Sequence, residues 1–380
     1  MQKKNYILSI VICLLLSAAI LTHCSKNNEP VKIGLSTTLT GPYSTTGGHF
    51  RNGAMLAVEE LNKAGGINGR PVELIIRDDK ANPEVALKVD QELIDEGVVA
   101  ILGHYLSTIC VSVVPYINKK NILMLSSPGT GLLTGEDDNF IRTLIPGSRQ
   151  TPVIADLLFN RMKLSKIAVV YDISNPKYSV SIFDHFKEDF KKYGGTVHGI
   201  SFNPKQKFSA VDIAKAVVAS KADGVFLVTT TLHGALVAQH IRKQKSNVQI
   251  FASEWTFADL DFVRNGGKAV EGVYSYGTFN AQSTNKKFVN FKKKIEDRFG
   301  DEVSLAYQLT YDTCQILFQA LRKTLEPGKI KETIIKQRVF EGIDGRIIID
   351  KYGDPLRNQY LMEVRNGKIE TIETFEPVIQ

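Results

Sequence analysis

The chain has 380 residues, 43% of them hydrophobic and 23% charged, and carries a formal net charge of +7. That length exceeds what a single hydrophobic core comfortably supports and suits two lobes. The basic excess is spread over lysine-rich helix faces such as Lys292 to Lys294 and Lys329 to Lys336, not gathered in one stripe, which argues against a nucleic-acid binder.

In chain order, Lys3 and Lys4 precede a mostly apolar run from Tyr6 to Leu21, which is short for a bilayer span and is followed by Cys24. This order predicts an export signal over residues 1–23, whose removal takes Lys3 and Lys4 away and lowers the net charge to +5. No later stretch is apolar over the length a membrane helix needs. Val31 to Thr37 reads as a strand, Gly41 to Gly48 as a loop, and Asn52 to Lys63 as a helix. Gly65 and Gly66 can take the positive φ angles that close that helix, Asn68 and Gly69 make a turn, and Val72 to Ile76 is a strand leaving through Asp78 and Asp79.

The alternation continues to about residue 280. Strands are expected at 98–102, 122–125, 166–171, 196–201, 224–228 and 248–252, with helices at 83–96, 181–193, 211–220 and 234–244. Apolar strands separated by helices of about three turns define an α/β protein with parallel sheets covered on both faces. Such sheets bind ligands beyond the carboxyl ends of their strands. After Gly277 the pattern changes to helices at 286–299 and 304–323, then strands at 345–350 and 360–364 around an Asp350 to Asp354 turn.

The common enzyme signatures are missing. No Gly-x-Gly-x-x-Gly follows the first strand, and there is no P-loop, His-Glu-x-x-His, nucleophile elbow or paired Cys-x-x-Cys. No catalytic set, metal site or cofactor is expected. Cys110 and Cys314 lie in apolar helical patterns and read as core thiols. The strand exits are rich in hydroxyls instead. Ser107 and Thr108 open a helix, where a hydroxyl either caps the helix or joins free amides in attracting an anion. Ser126 to Gly131 offers a second such loop, and Ser253, Glu254 and Trp255 follow a third strand.

The strand, helix and glycine order from Val31 to Asp79 resembles the leucine/isoleucine/valine-binding type of periplasmic binding protein, and the resemblance runs from Pro30 to the C-terminus. It implies two doubly wound parallel-sheet lobes with three crossings near Gly147, Gly277 and Asn358. The N-terminal lobe would be 30–147 plus 277–358, and the C-terminal lobe 148–276 plus 359–380. It implies that Ser107 and Thr130 bind a ligand carboxylate, that the Pro128 carbonyl accepts from its ammonium, and that Glu254 pairs with that ammonium. Tyr178 matches a stacking tyrosine, in a loop from Asp172 that is two residues longer than usual. Thr46 and Thr230 stand where relatives carry tyrosines, and Trp255 either walls the pocket or packs beside it. Asp78 and Asp79 match structural acids, and Ala81 and Leu106 replace the cysteines that relatives often join. Leu21 to Cys24 resembles a lipobox, which implies a lipid on Cys24.

The function implied is that of an exported, lipid-anchored, monomeric solute-binding component of an ABC importer. It would pass a free amino acid, branched-chain or otherwise apolar, to a membrane permease. Another small solute on the same scaffold, such as an amide or aromatic acid, and a ligand sensor signalling to a partner are the alternatives.

Overall fold

Short aliphatic runs, buried on both faces, form the centre of each of two sheets. The computed structural model describes residues 29–377, so the expected signal and Cys24 lie outside the described residues. The first sheet contains β1 (Val31–Thr37), β2 (Val72–Asp78), β3 (Ala100–Gly103), β4 (Leu123–Ser126) and β5 (Phe140–Arg142), all parallel in the order β2-β1-β3-β4-β5. Helices α1 (Ser44–Lys63), α2 (Pro83–Asp95) and α3 (Ser107–Lys120) connect these strands.

After α4 (Gly147–Asp156), the second sheet is built from β6 (Lys166–Asp172), β7 (Thr196–Phe202), β8 (Gly224–Val228), β9 (Gln249–Ala252) and β10 (Tyr274–Gly277), again parallel. Helices α5 (Pro176–Lys192), α6 (Ala210–Ser220), α7 (Thr231–Lys243) and α8 (Asp261–Gly266) lie between its strands. The chain then passes back to the first sheet through α9 (Lys286–Phe299), α10 (Leu305–Leu321) and α11 (Pro327–Gln337). Phe318 and Leu321 of α10 and Ile330 and Ile334 of α11 share one core with Ile33 and Leu35 of β1. A small antiparallel sheet follows, made of β11 (Val339–Gly342), β12 (Gly345–Ile349) and β13 (Pro355–Leu356). Finally β14 (Gln359–Arg365) and β15 (Lys368–Phe375) return to the second sheet and add to β10 antiparallel.

Two helices begin five or more residues earlier than their sequence suggests. The first, α1, starts at Ser44 and not at Asn52, taking in residues expected to be a loop. Gly47 explains the difference, because a Cβ there would lie 1.7 Å from the Thr38 carbonyl oxygen. This glycine permits a close approach of the first helical turn to the exit of β1. Likewise α5 starts at Pro176, a residue well suited to a first helical turn, so Tyr178 is helical and not in a loop. Cys110 and Cys314 are buried and unpaired, as the apolar pattern predicts.

The two acids at the β2 exit hold loops in place. Asp78 accepts from the Leu39 amide at 2.8 Å and the Thr40 hydroxyl at 2.7 Å. Asp79 accepts from the Thr38 hydroxyl at 2.6 Å and lies 2.7 Å from Nδ1 of His104, whose Nε2 lies 3.2 Å from both oxygens of Asp90. All three ionisable groups of this cluster are fully buried. Desolvation opposes the imidazolium, but the Asp90 and Asp79 carboxylates outweigh it and raise the His104 pKa from 6.5 to about 10. The Asp79 pKa is lowered despite burial, chiefly by its bond to His104.

A raised histidine pKa stabilises the fold fully below the unfolded value and is withdrawn as the pH climbs to the folded one. Urea unfolding is therefore expected to show stability falling between pH 6.5 and about 10, with a weaker fall in a His104→Gln variant. Asp90→Asn, which removes one partner of a buried ion cluster, should cost about 3–5 kcal/mol at pH 7.

Candidate functional site

The strand exits of the two sheets face one another across a cavity with about 690 Å³ of empty space, its open mouth included. This is where doubly wound sheets expose backbone ends and helix N-termini to a ligand. Thr46, Phe50, Tyr105 and Ser107 line it from the first lobe, and Asn175, Tyr178, Glu254 and Trp255 from the second. Leu144, Ile145, Leu305 and Leu309 complete an apolar stretch of wall.

Ser107 is the first residue of α3 and is 1% exposed. The next residue, Thr108, donates its amide and hydroxyl to Oδ1 of Asn175, at 3.1 and 2.9 Å. Asn175 lies just before α5, so the cap of this first-lobe helix comes from the second lobe. The Tyr43 and Ser174 hydroxyls are hydrogen-bonded at the same junction, and the Gly131 amide donates to the Ser181 hydroxyl at 3.2 Å. These bonds join the lobes in a closed arrangement.

Glu254 is 5% exposed and follows β9. One carboxylate oxygen accepts from the amide and hydroxyl of Thr278, each at 2.5 Å, and the other from Nε2 of Gln150 at 2.8 Å. Burial raises its pKa, against the pull of these bonds and of Arg357. Arg357 is itself paired with Asp312 at 2.9 Å. Gly277 makes room for the carboxylate, since a Cβ there would stand 2.9 Å from Glu254 Oε1. Tyr178 and Trp255 meet edge to face at 5.3 Å, and Phe50 stacks on Tyr105 at 5.2 Å. Trp255 does both things open to it, lining the cavity and packing against a core cluster of each lobe.

Pro128, Thr130 and Thr230 stand outside the lining. Buried Arg142 reaches the Thr130 carbonyl at 2.7 Å and the Pro128 carbonyl at 3.4 Å, while its Nε donates to Asp354 at 2.6 Å. The Thr130 hydroxyl accepts from the Leu132 amide at 3.1 Å. Their loop contributes Ser127 and Gly129 to the wall instead. Thr230 caps α7 and bonds His233 at 3.0 Å. Conversely, Gln150, Asn175, Tyr105 and Asp259 line the cavity without having been singled out in the sequence. The only signal available was position: Asp259 and Gln150 follow soon after Glu254 and Gly147, and Asn175 lies within the lengthened loop.

Two parallel-sheet lobes facing each other over a cavity define a two-lobed binding protein. A sequence model described as periplasmic binding protein matches residues 30–368, and the chain belongs to that family. It is 28% identical over 339 residues to the leucine-, isoleucine-, valine-, threonine- and alanine-binding protein of Pseudomonas aeruginosa, covering 86% of this chain and 87% of that protein. It is 27% identical over 344 residues to Leu/Ile/Val-binding protein homolog 1 of Brucella melitensis, covering 87% and 89% of the two chains. Its fold matches the leucine-binding protein LivK of Thermotoga maritima with a TM-score of 0.82, at 23% identity, over 91% of this chain and 99% of that one. A benzoate-bound solute-binding protein of an ABC transporter from R. palustris gives the same TM-score at 18% identity, over 92% and 98%.

The Asn175 cap exists only while the lobes are together. Replacing such a cap by alanine typically costs about 0.5–2 kcal/mol. Asn175→Ala is therefore expected to open the protein, seen as a larger radius of gyration in small-angle scattering and faster hydrogen exchange at the Thr108 amide. An unchanged radius and exchange rate would show that Asn175 does not hold the lobes together.

Proposed function

We propose that the protein is the extracytoplasmic solute-binding component of an ABC importer, holding a free amino acid with an apolar side chain between its lobes. The buried Glu254 carboxylate on the cavity wall carries this reading, because a desolvated carboxylate is a strong partner for an α-ammonium. Ser107, at the N-terminus of α3, is suited to the ligand carboxylate. Phe50, Leu144, Trp255 and Leu305 offer an apolar surface to the side chain. The names of the Pseudomonas and Brucella relatives support the same ligand class. The protein acts as a monomer without a cofactor, makes and breaks no bond, and delivers its ligand to a membrane permease. Its lobes, 30–147 plus 277–358 and 148–276 plus 359–380, close as nearly rigid bodies about hinges near Gly147, Gly277 and Asn358.

A thermal-shift screen of amino acids, small amides and aromatic acids on protein starting at Ser25 tests the ligand class. A ligand bound only by the folded state at about 100 times its Kd adds roughly 2.7 kcal/mol of stability and raises the melting temperature. Glu254→Gln keeps the shape and removes the charge. With the amino acid found in the screen, calorimetry should show a loss of about 2–5 kcal/mol, or roughly thirty- to several-thousand-fold in affinity. A change below about threefold would remove Glu254 from the site. A screen yielding only ligands without an amine would overturn the amino-acid reading.

The protein is anchored through a lipid on Cys24 after removal of residues 1–23. Mass spectrometry of membrane-extracted protein should find a mature chain beginning at modified Cys24. A soluble, unmodified chain with another N-terminus would overturn this. One acyl chain anchors only marginally, so salt and detergent washes should release part of a singly acylated population.

A further inference from the structure

Both ring nitrogens and the carbonyl oxygen of His104 are taken, each by a different part of the first lobe. Nδ1 donates to Asp79 at the β2 exit, at 2.7 Å, and lies 3.3 Å from Oγ of Ser36 in β1. Nε2 faces both oxygens of Asp90, on α2, at 3.2 Å. The carbonyl accepts from the Ser126 hydroxyl at the end of β4 and, at 2.8 Å, from the Cys110 thiol on α3. One residue thus ties β1, β2, β4, α2 and α3 to the segment that leaves β3. With a carboxylate facing each ring nitrogen, only the doubly protonated ring donates from both. Burial opposes that charge, but Asp90 and Asp79 outweigh it and raise the pKa to about 10, so the ring is an imidazolium at neutral pH.

Neither His104 nor Asp90 lines the cavity, but Tyr105 and Ser107, one and three residues further along the segment, stand in its wall. So does Ser127, next to Ser126. Behind this wall lies a second, smaller cavity with about 210 Å³ of empty space, bounded by Leu35, Phe50, Gly103, Ser126 and Ser127. Packing behind the segment is therefore incomplete, and a loosened wall has room to shift. The bonds made by His104 oppose that shift. Groups that contact a ligand must be held to within about 0.5 Å by the hydrogen bonds that support them, and His104 is where those bonds converge.

We propose that His104 and Asp90 are positioning residues for ligand binding, which fix Tyr105 and Ser107 in the cavity wall through the segment that carries them. Asp90 acts from α2, without contact with the cavity, by holding the ring that holds the segment. This role rests on the reading of the cavity as the ligand site and holds for whichever small solute the cavity takes.

The test is calorimetry at pH 7 with leucine and with benzoate as probes, on the wild-type protein, Asp90→Asn, Ser126→Ala and Leu321→Ala, each well below its own melting temperature. Leu321→Ala, in the core at the opposite end of α10 from the cavity, is the control for lost stability alone. A probe that binds the wild type should bind Asp90→Asn about tenfold or more weakly, and Leu321→Ala within about threefold of the wild type. Ser126→Ala leaves the ion cluster intact and removes one bond to the His104 carbonyl. It should lose about threefold or more, and it carries the test if Asp90→Asn does not fold. In the ligand-free protein, hydrogen exchange at Tyr105 to Thr108 should quicken relative to β1 in Asp90→Asn and Ser126→Ala but not in Leu321→Ala. Unchanged affinity in Asp90→Asn and Ser126→Ala, or an equal loss in Leu321→Ala, would overturn the role. Benzoate binding without leucine would count against the amino-acid reading and leave the role to be decided by the benzoate affinities. With neither probe bound by the wild type, the exchange comparison alone decides: faster local exchange supports the role, and unchanged exchange overturns it.

Discussion

One buried carboxylate organises the middle of this molecule. Glu254 sits at the end of β9, and its partners come from the segments that pass between the lobes: Gln150 just after Gly147, and Thr278 just after Gly277. Arg357, next to Asn358, adds the nearest positive influence from the remaining passage. A charge removed from water is tolerated only when hydrogen bonds and opposite charge surround it. The chain's three passages thus converge on the group that faces the cavity. A ligand that changes the electrostatics at Glu254 acts on the segments by which the chain passes between its two sheets.

The first lobe meets the same problem with two other ion clusters. Asp79, His104 and Asp90 tie the β2 exit to the β3 exit, immediately before Tyr105 and Ser107 enter the cavity wall. Arg142 and Asp354 tie the β4 exit to the Asp350 to Asp354 turn. Buried pairs of this kind are weak evidence for stability, because desolvation offsets most of their attraction. Their directional demands are strict, however, and here they decide which atoms of each loop face the cavity. Arg142 draws in the carbonyls of Pro128 and Thr130, and Gly129 is left to form the wall.

The fold does not by itself select a ligand. Structures of the same architecture include a leucine-binding protein and a benzoate-bound one, with equal TM-scores to this chain. Function on such a scaffold lies in the side chains at the strand exits. The side chains on the wall, with Glu254, Asp259 and His49 and, among the described residues, no lysine or arginine, carry more information about the ligand than the surrounding sheets.

What the sequence by itself determined was the architecture and part of the site. Continuous apolar strands between amphipathic helices require parallel sheets whatever the distant contacts, so the α/β class and the strand exits were legible from Val31 onward. Thr46, Ser107, Tyr178, Glu254 and Trp255, which line the cavity, were singled out in the sequence because they lie in the segments leading away from strands and a family resemblance aligned them. The starts of α1 and α5 were not, since Gly47 reads locally as a loop former and only the approach of Thr38 shows why a glycine is needed in a helix there. Only the tertiary structure turned Pro128 and Thr130 away, through an arginine whose partner Asp354 lies in a remote turn. It alone brought Asn175 across to cap α3 and set Asp259 on the same wall as Glu254. Hydrogen bonds and charge pairs between distant segments leave no periodic trace in a sequence, whereas burial of a strand or a helix face does.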